Sequence, residues 1–135
     1  MKKVVVDSDI VINHIKDNNN DLELLVSLQG RNKIQLFLPT IVVVEVFVGY
    51  ELKGKKLSKI KKLISSFNQE GLTTELAYCA AKIGRVNKLA FMGSADLIIA
   101  ATAKKLKAEV ATNNIKHFKL IPGLKIFDFK KNVNS

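Results

Sequence analysis

The sequence has few of the residues that mark secreted, disordered or linker proteins. Its 135 residues include one cysteine, two prolines and no tryptophan. The lone Cys79 excludes an intramolecular disulfide, so a reducing cytoplasm is the expected location. Because 47% of the residues are hydrophobic, the composition argues against intrinsic disorder. We expect one globular domain over residues 1–135, a length that supports a core of its own.

Long hydrophobic runs are also missing. The apolar run before Asp7 is only Val4 to Val6, too short for the hydrophobic region of a signal peptide, and we expect no export. The longest apolar stretch, residues 34–50, is interrupted by Gln35, Pro39 and Glu45. A membrane span needs about 20 predominantly apolar residues. We therefore expect this stretch to belong to the core and the protein to have no membrane partner.

Acidic residues are scarce relative to basic ones. There are 12 acidic and 22 basic residues, which gives a net charge of +10. Such a surplus favours a polyanionic partner such as nucleic acid, through phosphate neutralisation and counterion release. Only Arg31 and Arg85 are arginines, and a surplus that is otherwise lysine also arises from codon bias or thermal adaptation. Charge alone leaves both explanations open.

Short apolar runs alternate with stretches of helical periodicity. The apolar runs predict strands over residues 4–6, 34–38, 109–112 and 125–127, and residues 17–21 form a turn cluster. Helices are predicted from Ser8 onward and over residues 22–30, 39–54, 57–67, 73–86 and 95–106. Strands that alternate with helices in this way predict an α/β fold with a parallel sheet covered on both faces.

The predicted helix over residues 39–54 is the most ambiguous of these elements. Helical spacing places five residues on one of its faces, Ile41, Val44, Glu45, Val48 and Leu52, and Gly54 is expected to end it. The many valines in this segment are equally typical of a strand.

Three acidic residues lie where an acid needs an explanation. Asp7 follows the first predicted strand, at the sheet edge where open α/β folds place their ligands. Glu45 interrupts an apolar run, where an ionised carboxylate is costly unless it is paired or binds a metal. Asp96 lies two positions after Ser94, the expected cap of an apolar helix. Each lies near an expected strand or helix terminus, so together they would form hard oxygen ligands for Mg²⁺ or Mn²⁺ at one sheet edge.

Each acid also has a purely structural explanation. Asp7 or Ser8 would cap the following helix. Glu45 would meet water or a lysine on a partly exposed helix face. Asp96 would be stabilised by the helix dipole. A fourth candidate, the Thr112-Asn113-Asn114 segment, follows a predicted strand at the same edge but is equally typical of an ordinary turn.

Four segments carry a resemblance to a known family. They are VVDSD (5–9), PTIVVVEVFVG (39–49), ADLIIAATA (95–103), and TNNIKHF (112–118) followed by IPGL (121–124). Together they resemble PIN domains, and more closely the VapC-type toxins of bacterial and archaeal toxin–antitoxin pairs. The resemblance spans nearly the whole chain. It implies a compact three-layer α/β/α fold, a homodimer, a small antitoxin protein as partner, and endoribonuclease activity on structured RNA.

The resemblance also assigns roles to residues of this chain. Asp7 and Asp96 would be the principal metal ligands, with Glu45 completing the acidic cluster around Mg²⁺ or Mn²⁺. Many relatives have a fourth acid two positions after the threonine or nearer the phenylalanine, where this chain has Asn114 and His117. We therefore expect one firmly held metal rather than two.

A metal-dependent mechanism gives supporting roles to further residues. Thr112 and Asn114 would orient a water or a phosphate oxygen, and Asp9 would support the ligands from behind. The lysine-rich helix over residues 53–62 would hold the RNA backbone. His14 and His117 have no convincing partner in the sequence and are expected to be structural or surface residues.

Three alternatives remain open on the sequence. The Asp7-Ser8-Asp9 segment also resembles the start of haloacid-dehalogenase phosphatases, although Val11 replaces their usual threonine and no later Asp-Asp pair is present. A non-catalytic RNA-binding protein would keep the fold without holding a metal. A DNA nuclease of the same fold would have the same acids, because substrate choice depends on the surface around them.

Overall fold

Strands and helices alternate along the chain in the computed structural model, which describes residues 1–16 and 19–133. In chain order the elements are β1 (Lys2–Val6), α1 (Ser8–Ile15), α2 (Asp21–Gly30), β2 (Ile34–Pro39), α3 (Thr40–Gly49), α4 (Gly54–Ser65), β3 (Asn68–Glu70), α5 (Thr74–Val86), α6 (Ser94–Leu106), β4 (Glu109–Ala111), α7 (Ile115–Phe118), β5 (Lys125–Ile126) and α8 (Phe129–Asn132). Part of the predicted turn at 17–21 lies outside the described residues.

The five strands form one parallel sheet in the order β3-β2-β1-β4-β5. Central strand β1 supplies Val4, Val5 and Val6, all fully buried. Burial on both faces of a strand requires helices on both sides of the sheet, and it accounts for the uninterrupted apolar run. The predicted three-layer α/β/α class is confirmed. Since all strands run in one direction, the residues that follow them meet at one edge of the sheet.

Helices α5 and α6 pack closely at a glycine. A Cβ built on Gly84 would lie 2.9 Å from Cδ1 of Leu97, so a larger residue at position 84 would push that side chain aside. Leu97 directly follows Asp96 in α6, and the close approach therefore fixes the helix turn that carries this acid. Thr73 caps α5 at the place where the sequence predicts that the helix starts, and its hydroxyl accepts a hydrogen bond from the Leu76 amide at 3.1 Å.

The predicted face and end of α3 are wrong. The helix ends at Gly49 rather than Gly54, and its buried residues are Val42 and Val46. Two of the valines assigned to the apolar face, Val44 and Val48, are instead 54% and 82% exposed. Valines on all sides of the helix give no preferred face, and packing against neighbouring helices decides the orientation. None of the described helices has the length and apolar character that a membrane span requires.

Three short elements were not predicted. Strand β3 is polar (Asn-Gln-Glu), and only its pairing with β2 makes it a strand. The Asn68 amide supports this pairing by donating a 3.1 Å hydrogen bond to the Leu36 carbonyl. Helices α7 and α8 have four residues each, too few for a periodic pattern. The predicted bounds of β2, β4 and β5 agree with the observed ones to within one residue, whereas β1 begins two residues earlier than predicted.

Candidate metal centre

Asp7 and Thr112 lie side by side at the carboxyl edge of the sheet. Parallel pairing sets Val6 opposite Ala111, so the residues that follow β1 and β4 are neighbours. Thr112 Oγ1 donates a 2.7 Å hydrogen bond to Asp7 Oδ2, and the Ser8 amide donates at 2.7 Å to Asp7 Oδ1. Both side chains are buried. Asp7 therefore caps α1 and also belongs to a buried polar cluster at the expected edge.

Asp9 belongs to the same cluster. Its Oδ2 accepts a 2.9 Å hydrogen bond from the Asn113 amide and lies 3.4 Å from Thr112 Oγ1. Its other oxygen, Oδ1, is buried and has no hydrogen-bond partner among the described residues. A buried carboxylate oxygen without a donor is costly unless a cation satisfies it.

Glu45 reaches the cluster from α3. Its Oε1 is the second buried carboxylate oxygen that lacks a hydrogen-bond donor within the described part of the chain. Burial raises the pKa of Glu45, and repulsion from Asp96 and Asp9 raises it further. Glu45 is therefore close enough to Asp96 and Asp9 for their charges to oppose its ionisation.

The buried acids repel one another and resist ionisation. Burial, followed by repulsion from Asp9, raises the pKa of Asp7 to about 7, although hydrogen bonds from Thr112 and Ser8 oppose the shift. Burial is also the largest cause of the raised pKa of Asp9. A divalent cation would offset both burial and repulsion, because an opposite charge nearby favours the ionised form.

Asp96 lies in the first turn of α6, but Ser94 is not the cap that the sequence suggested. Gly93 is the N-cap residue and Ser94 is the first residue of the helix. The Asp96 carboxylate is partly exposed and faces His117, whose Nδ1 lies 3.7 Å from Asp96 Oδ2. The expectation that His117 has no partner is therefore wrong. Sequence could not reveal this contact, since it depends on α7, an element too short to be predicted.

Asn114 joins the two halves of the cluster. Its backbone amide donates a 2.9 Å hydrogen bond to Thr112 Oγ1, on the side of Asp7 and Asp9. Its side-chain Nδ2 lies 3.0 Å from His117 Nδ1, on the side of Asp96. The structure thus brings together every residue that the sequence proposed for the site.

The arrangement fits an open metal site rather than a closed cage. No group of three or more acidic, histidine or cysteine side chains in the described chain is already set to hold an ion. Mg²⁺ usually keeps several waters and binds proteins through one or two carboxylates, so a closed cage is not required. Carboxylate oxygens are the hard donors that such an ion takes, and two of those in the cluster, on Asp9 and Glu45, are buried without a hydrogen-bond partner among the described residues.

The chain belongs to the PIN-domain family, whose model matches residues 4–124. No curated protein matches its sequence significantly. Among solved structures, it is similar to a chain of VapBC2 from Rickettsia felis bound to a promoter DNA fragment, with 22% identity and a TM-score of 0.79 over 94% of this chain and 98% of the other.

Two further bacterial complexes contain chains with the same fold. For DNA-bound VapBC from Salmonella typhimurium, the identity is 24% and the TM-score 0.77 over 95% of this chain and 98% of the other. For VapBC-1 from nontypeable Haemophilus influenzae, the identity is 23% and the TM-score 0.74 over the same shares of the two chains. At these identities the likeness establishes the fold. The PIN-domain resemblance seen in the sequence is confirmed for family and fold.

Proposed function

We propose that this protein is a divalent-metal-dependent endoribonuclease that hydrolyses phosphodiester bonds in structured RNA. The observation that carries the proposal is the set of carboxylates at one sheet edge, two of which have buried oxygens without a donor in the described part of the chain. Membership of the PIN-domain family supports nuclease chemistry. The surplus of basic residues supports a nucleic-acid substrate.

Different residues of the chain would bind the metal, hold a ligand in place and orient the water. Asp7 and Asp96 would hold Mg²⁺ or Mn²⁺, with Glu45 as the supporting acid. When bound, the ion would lower the pKa of a water and stabilise charge on the scissile phosphate. Thr112 would keep the Asp7 carboxylate in place through its 2.7 Å hydrogen bond. Asn114 would orient the water or a phosphate oxygen, and no side chain would act as a nucleophile.

The exposed lysines of α4 would hold the RNA backbone. This helix carries five lysines, all exposed: Lys55, Lys56, Lys59, Lys61 and Lys62. It flanks α3, the helix of Glu45, across an apolar groove lined by Val43, Phe47 and Leu57. A substrate bound at the acidic cluster would have to extend past α3 to reach these lysines.

We further propose that the protein is the toxin of a toxin–antitoxin pair, works in the cytoplasm and forms a homodimer. The similar structures are VapBC complexes and, for Klebsiella pneumoniae, a toxin–antitoxin complex at 25% identity, which supports a small antitoxin protein as partner. Expression of the chain should then halt growth, and co-expression of a small protein encoded next to it should restore growth. Normal growth would count against the toxin role but not against the nuclease.

The decisive experiment is RNA cleavage by the purified protein. We expect cleavage with Mg²⁺ or Mn²⁺, none with a chelator, and none by Asp96→Asn, whose circular dichroism should match wild type. Glu75→Gln is a matched control, because it also removes an acid from the first turn of a helix but lies on an exposed surface. Equal cleavage by wild type and Asp96→Asn would contradict the mechanism. RNA binding without cleavage would instead indicate a non-catalytic PIN-fold protein, and cleavage of DNA alone would indicate a DNA nuclease.

A further inference from the structure

A cavity lies beside the acidic cluster, at the carboxyl ends of β4 and β5. Its volume is about 430 Å³. Sites for small ligands occupy about 300–1,000 Å³, so the cavity has room for a nucleobase. Val110 pairs with Ile126, and the Phe127 amide donates a 2.8 Å hydrogen bond to the Val110 carbonyl, so the residues that follow the two strands are neighbours. The cavity therefore lies at the sheet edge where open α/β folds place their ligands.

Thr112 and Asn113 form a wall between the cavity and the acidic cluster. Both residues line the cavity. The Thr112 hydroxyl donates to Asp7 Oδ2 at 2.7 Å, and the Asn113 amide donates to Asp9 Oδ2 at 2.9 Å. These hydrogen bonds hold the wall in place. A phosphate bound at the acids would therefore bring the base of an adjoining nucleotide within reach of the cavity.

Phe129 gives the cavity an aromatic surface. Its ring is partly buried and packs against the buried ring of Phe127, with centroids 5.0 Å apart and planes at 81°. Asp128, which also lines the cavity, fixes the turn that carries Phe129, because its Oδ1 accepts a 3.1 Å hydrogen bond from the Lys131 amide. Ile115, which is 50% exposed, adds apolar surface. An aromatic ring held in this way stacks on a nucleobase at little entropic cost.

The polar residues of the cavity fit the rest of a nucleotide. Asn113 is exposed, and its side-chain amide can both donate and accept hydrogen bonds, as the edge of a nucleobase requires. Lys130 is also exposed and lines the cavity, where its charge would attract a flanking phosphate. The cavity thus combines a stacking surface, a hydrogen-bonding amide and a cation. Proteins use these kinds of contact to bind unpaired nucleotides.

We infer that this cavity is a nucleobase subsite, in which an unpaired base next to the scissile phosphate stacks on Phe129 and forms hydrogen bonds with Asn113. The inference rests on the proposed ribonuclease function and deepens it, because it specifies an unpaired nucleotide beside the cleavage position. A base inside a double helix can enter the cavity only if it leaves the stack. Phe129 and Asn113 are therefore specificity determinants for the substrate.

The binding of two synthetic RNA decamers tests the subsite. One consists of uridines, and the other is an abasic decamer with the same ribose-phosphate backbone. Fluorescence anisotropy in the Asp96→Asn background, which is expected to prevent cleavage, should show the uridine decamer bound about tenfold more tightly than the abasic one. The two decamers carry the same charge, so the difference in affinity reports contacts to the bases.

Substitutions at Phe129 assign this difference to its ring. Phe129→Leu keeps an apolar side chain but has no aromatic face. It should weaken binding of the uridine decamer about tenfold and leave unchanged the binding of the abasic decamer and of a uridine–adenosine duplex, whose bases are paired. Phe129→Tyr keeps the ring and should retain the preference for uridine. Tyr78→Ala is a matched control, because it removes an exposed aromatic ring from α5 that does not line the cavity.

Two results would overturn the inference. The first is equal affinity for the uridine and abasic decamers, and that comparison needs no substitution in the cavity. The second is an equal loss of affinity for both decamers in Phe129→Leu, because the effect of the ring would then be on the structure of the protein and not on a base.

The subsite and the nuclease fail in distinguishable ways. If the protein cleaves RNA with Mg²⁺ or Mn²⁺ but Phe129→Leu keeps the preference for uridine, the nuclease stands and the subsite does not. If the preference depends on Phe129 and the protein cleaves no RNA, the subsite stands and the nuclease does not.

Discussion

Thr112 and Asp7, 105 positions apart in the chain, are joined by a buried 2.7 Å hydrogen bond from the threonine hydroxyl to Oδ2 of the carboxylate. The pairing of β1 with β4 makes them neighbours, and the same hydroxyl accepts a hydrogen bond from the Asn114 amide. One small side chain therefore links the first strand of the sheet to the loop that carries Asn114. Its hydroxyl holds the Asp7 carboxylate in one orientation.

Replacement of Thr112 by valine should damage both stability and activity. The valine has nearly the same shape but leaves a buried oxygen of Asp7 without its donor, which should lower the free energy of unfolding by about 1–3 kcal/mol. Urea denaturation measures this loss. Thr112→Ser keeps the hydroxyl and should retain metal-dependent cleavage, whereas Thr112→Val should lose most of it. Equal activities of the two variants would show that the hydroxyl does not position Asp7.

The raised pKa of Asp7 predicts that the metal-free protein loses stability as the pH rises. Burial, with repulsion from Asp9, sets this pKa at about 7, against 3.8 for the ordinary carboxyl. Between these values the folded chain holds a proton that the unfolded chain releases. This proton stabilises the folded chain fully below about pH 4, and the stabilisation is lost above about pH 7. Across this range the free energy of unfolding should fall by an amount on the order of 4 kcal/mol. Urea denaturation in chelator at pH 5 and pH 8 would measure the fall in the free energy of unfolding.

Asp7→Asn is the control for this pH dependence. The amide cannot ionise, so the variant should be more stable than wild type at pH 8 in chelator and closer to it at pH 5. Any dependence of stability on pH that remains in Asp7→Asn would come from Asp9 and Glu45, whose pKa values are also raised. An identical pH dependence in the variant and wild type would contradict the assignment to Asp7.

Much of the sheet and of the site was predictable from local patterns. The apolar run Val4 to Val6 identified the first strand, and burial on both faces explains why this run lacks polar alternation. The direction of parallel strands then placed Asp7 and the Thr112 segment at one edge before any contact was known. Asp96 was found as an acid at the start of an apolar helix.

The errors have a common physical cause, which is that tertiary contacts decided what local sequence left open. The exposed face of α3 is set by neighbouring helices, since valine occurs on every side of it. His117 faces Asp96 because the four-residue helix α7 turns it inward, and no periodicity reports so short an element. The sequence did contain one chemical indication of this contact. His117 occupies a position where the resemblance implies an acid.

Metal binding should stabilise the protein, and Glu45 should be needed for the full effect. At a concentration one hundred times its Kd, a metal that binds only the folded chain adds about 2.7 kcal/mol to the free energy of unfolding. Glu45→Gln removes a partly buried charge whose Oε1 has no donor among residues 1–16 and 19–133, so the variant should be more stable than wild type in chelator but gain less stability from metal. Thermal unfolding with and without Mn²⁺ measures both differences.

An exposed acid on the loop after α3 provides the comparison for Glu45. Glu51 forms a 3.2 Å ion pair with Lys53 in which both side chains are 81% exposed. Glu51→Gln removes the same charge and should leave the metal-induced stabilisation unchanged. If Glu45→Gln gained as much from the metal as Glu51→Gln, Glu45 would not support a metal ligand set.

The lysine face of α4 should determine how tightly RNA binds. Lys55, Lys59 and Lys62 follow one another at helical spacing and are exposed, so their replacement by glutamine should leave folding unchanged. Each lost phosphate contact should reduce the slope of log affinity against log salt by about 0.7 to 0.9. Fluorescence anisotropy at several salt concentrations, in the Asp96→Asn background that prevents cleavage, would measure this slope.

Three lysines at the opposite edge of the sheet make a control of equal charge. Lys104, Lys107 and Lys125 line a cavity beside the amino ends of the strands, on the side away from the acids. Their triple replacement by glutamine lowers the net charge as much as the α4 replacement does. If the RNA backbone contacts α4 specifically, only the α4 variant should lose affinity for RNA and the dependence of that affinity on salt. Equal losses would mean that RNA responds to the overall charge of the protein, and α4 would then have no special place in binding.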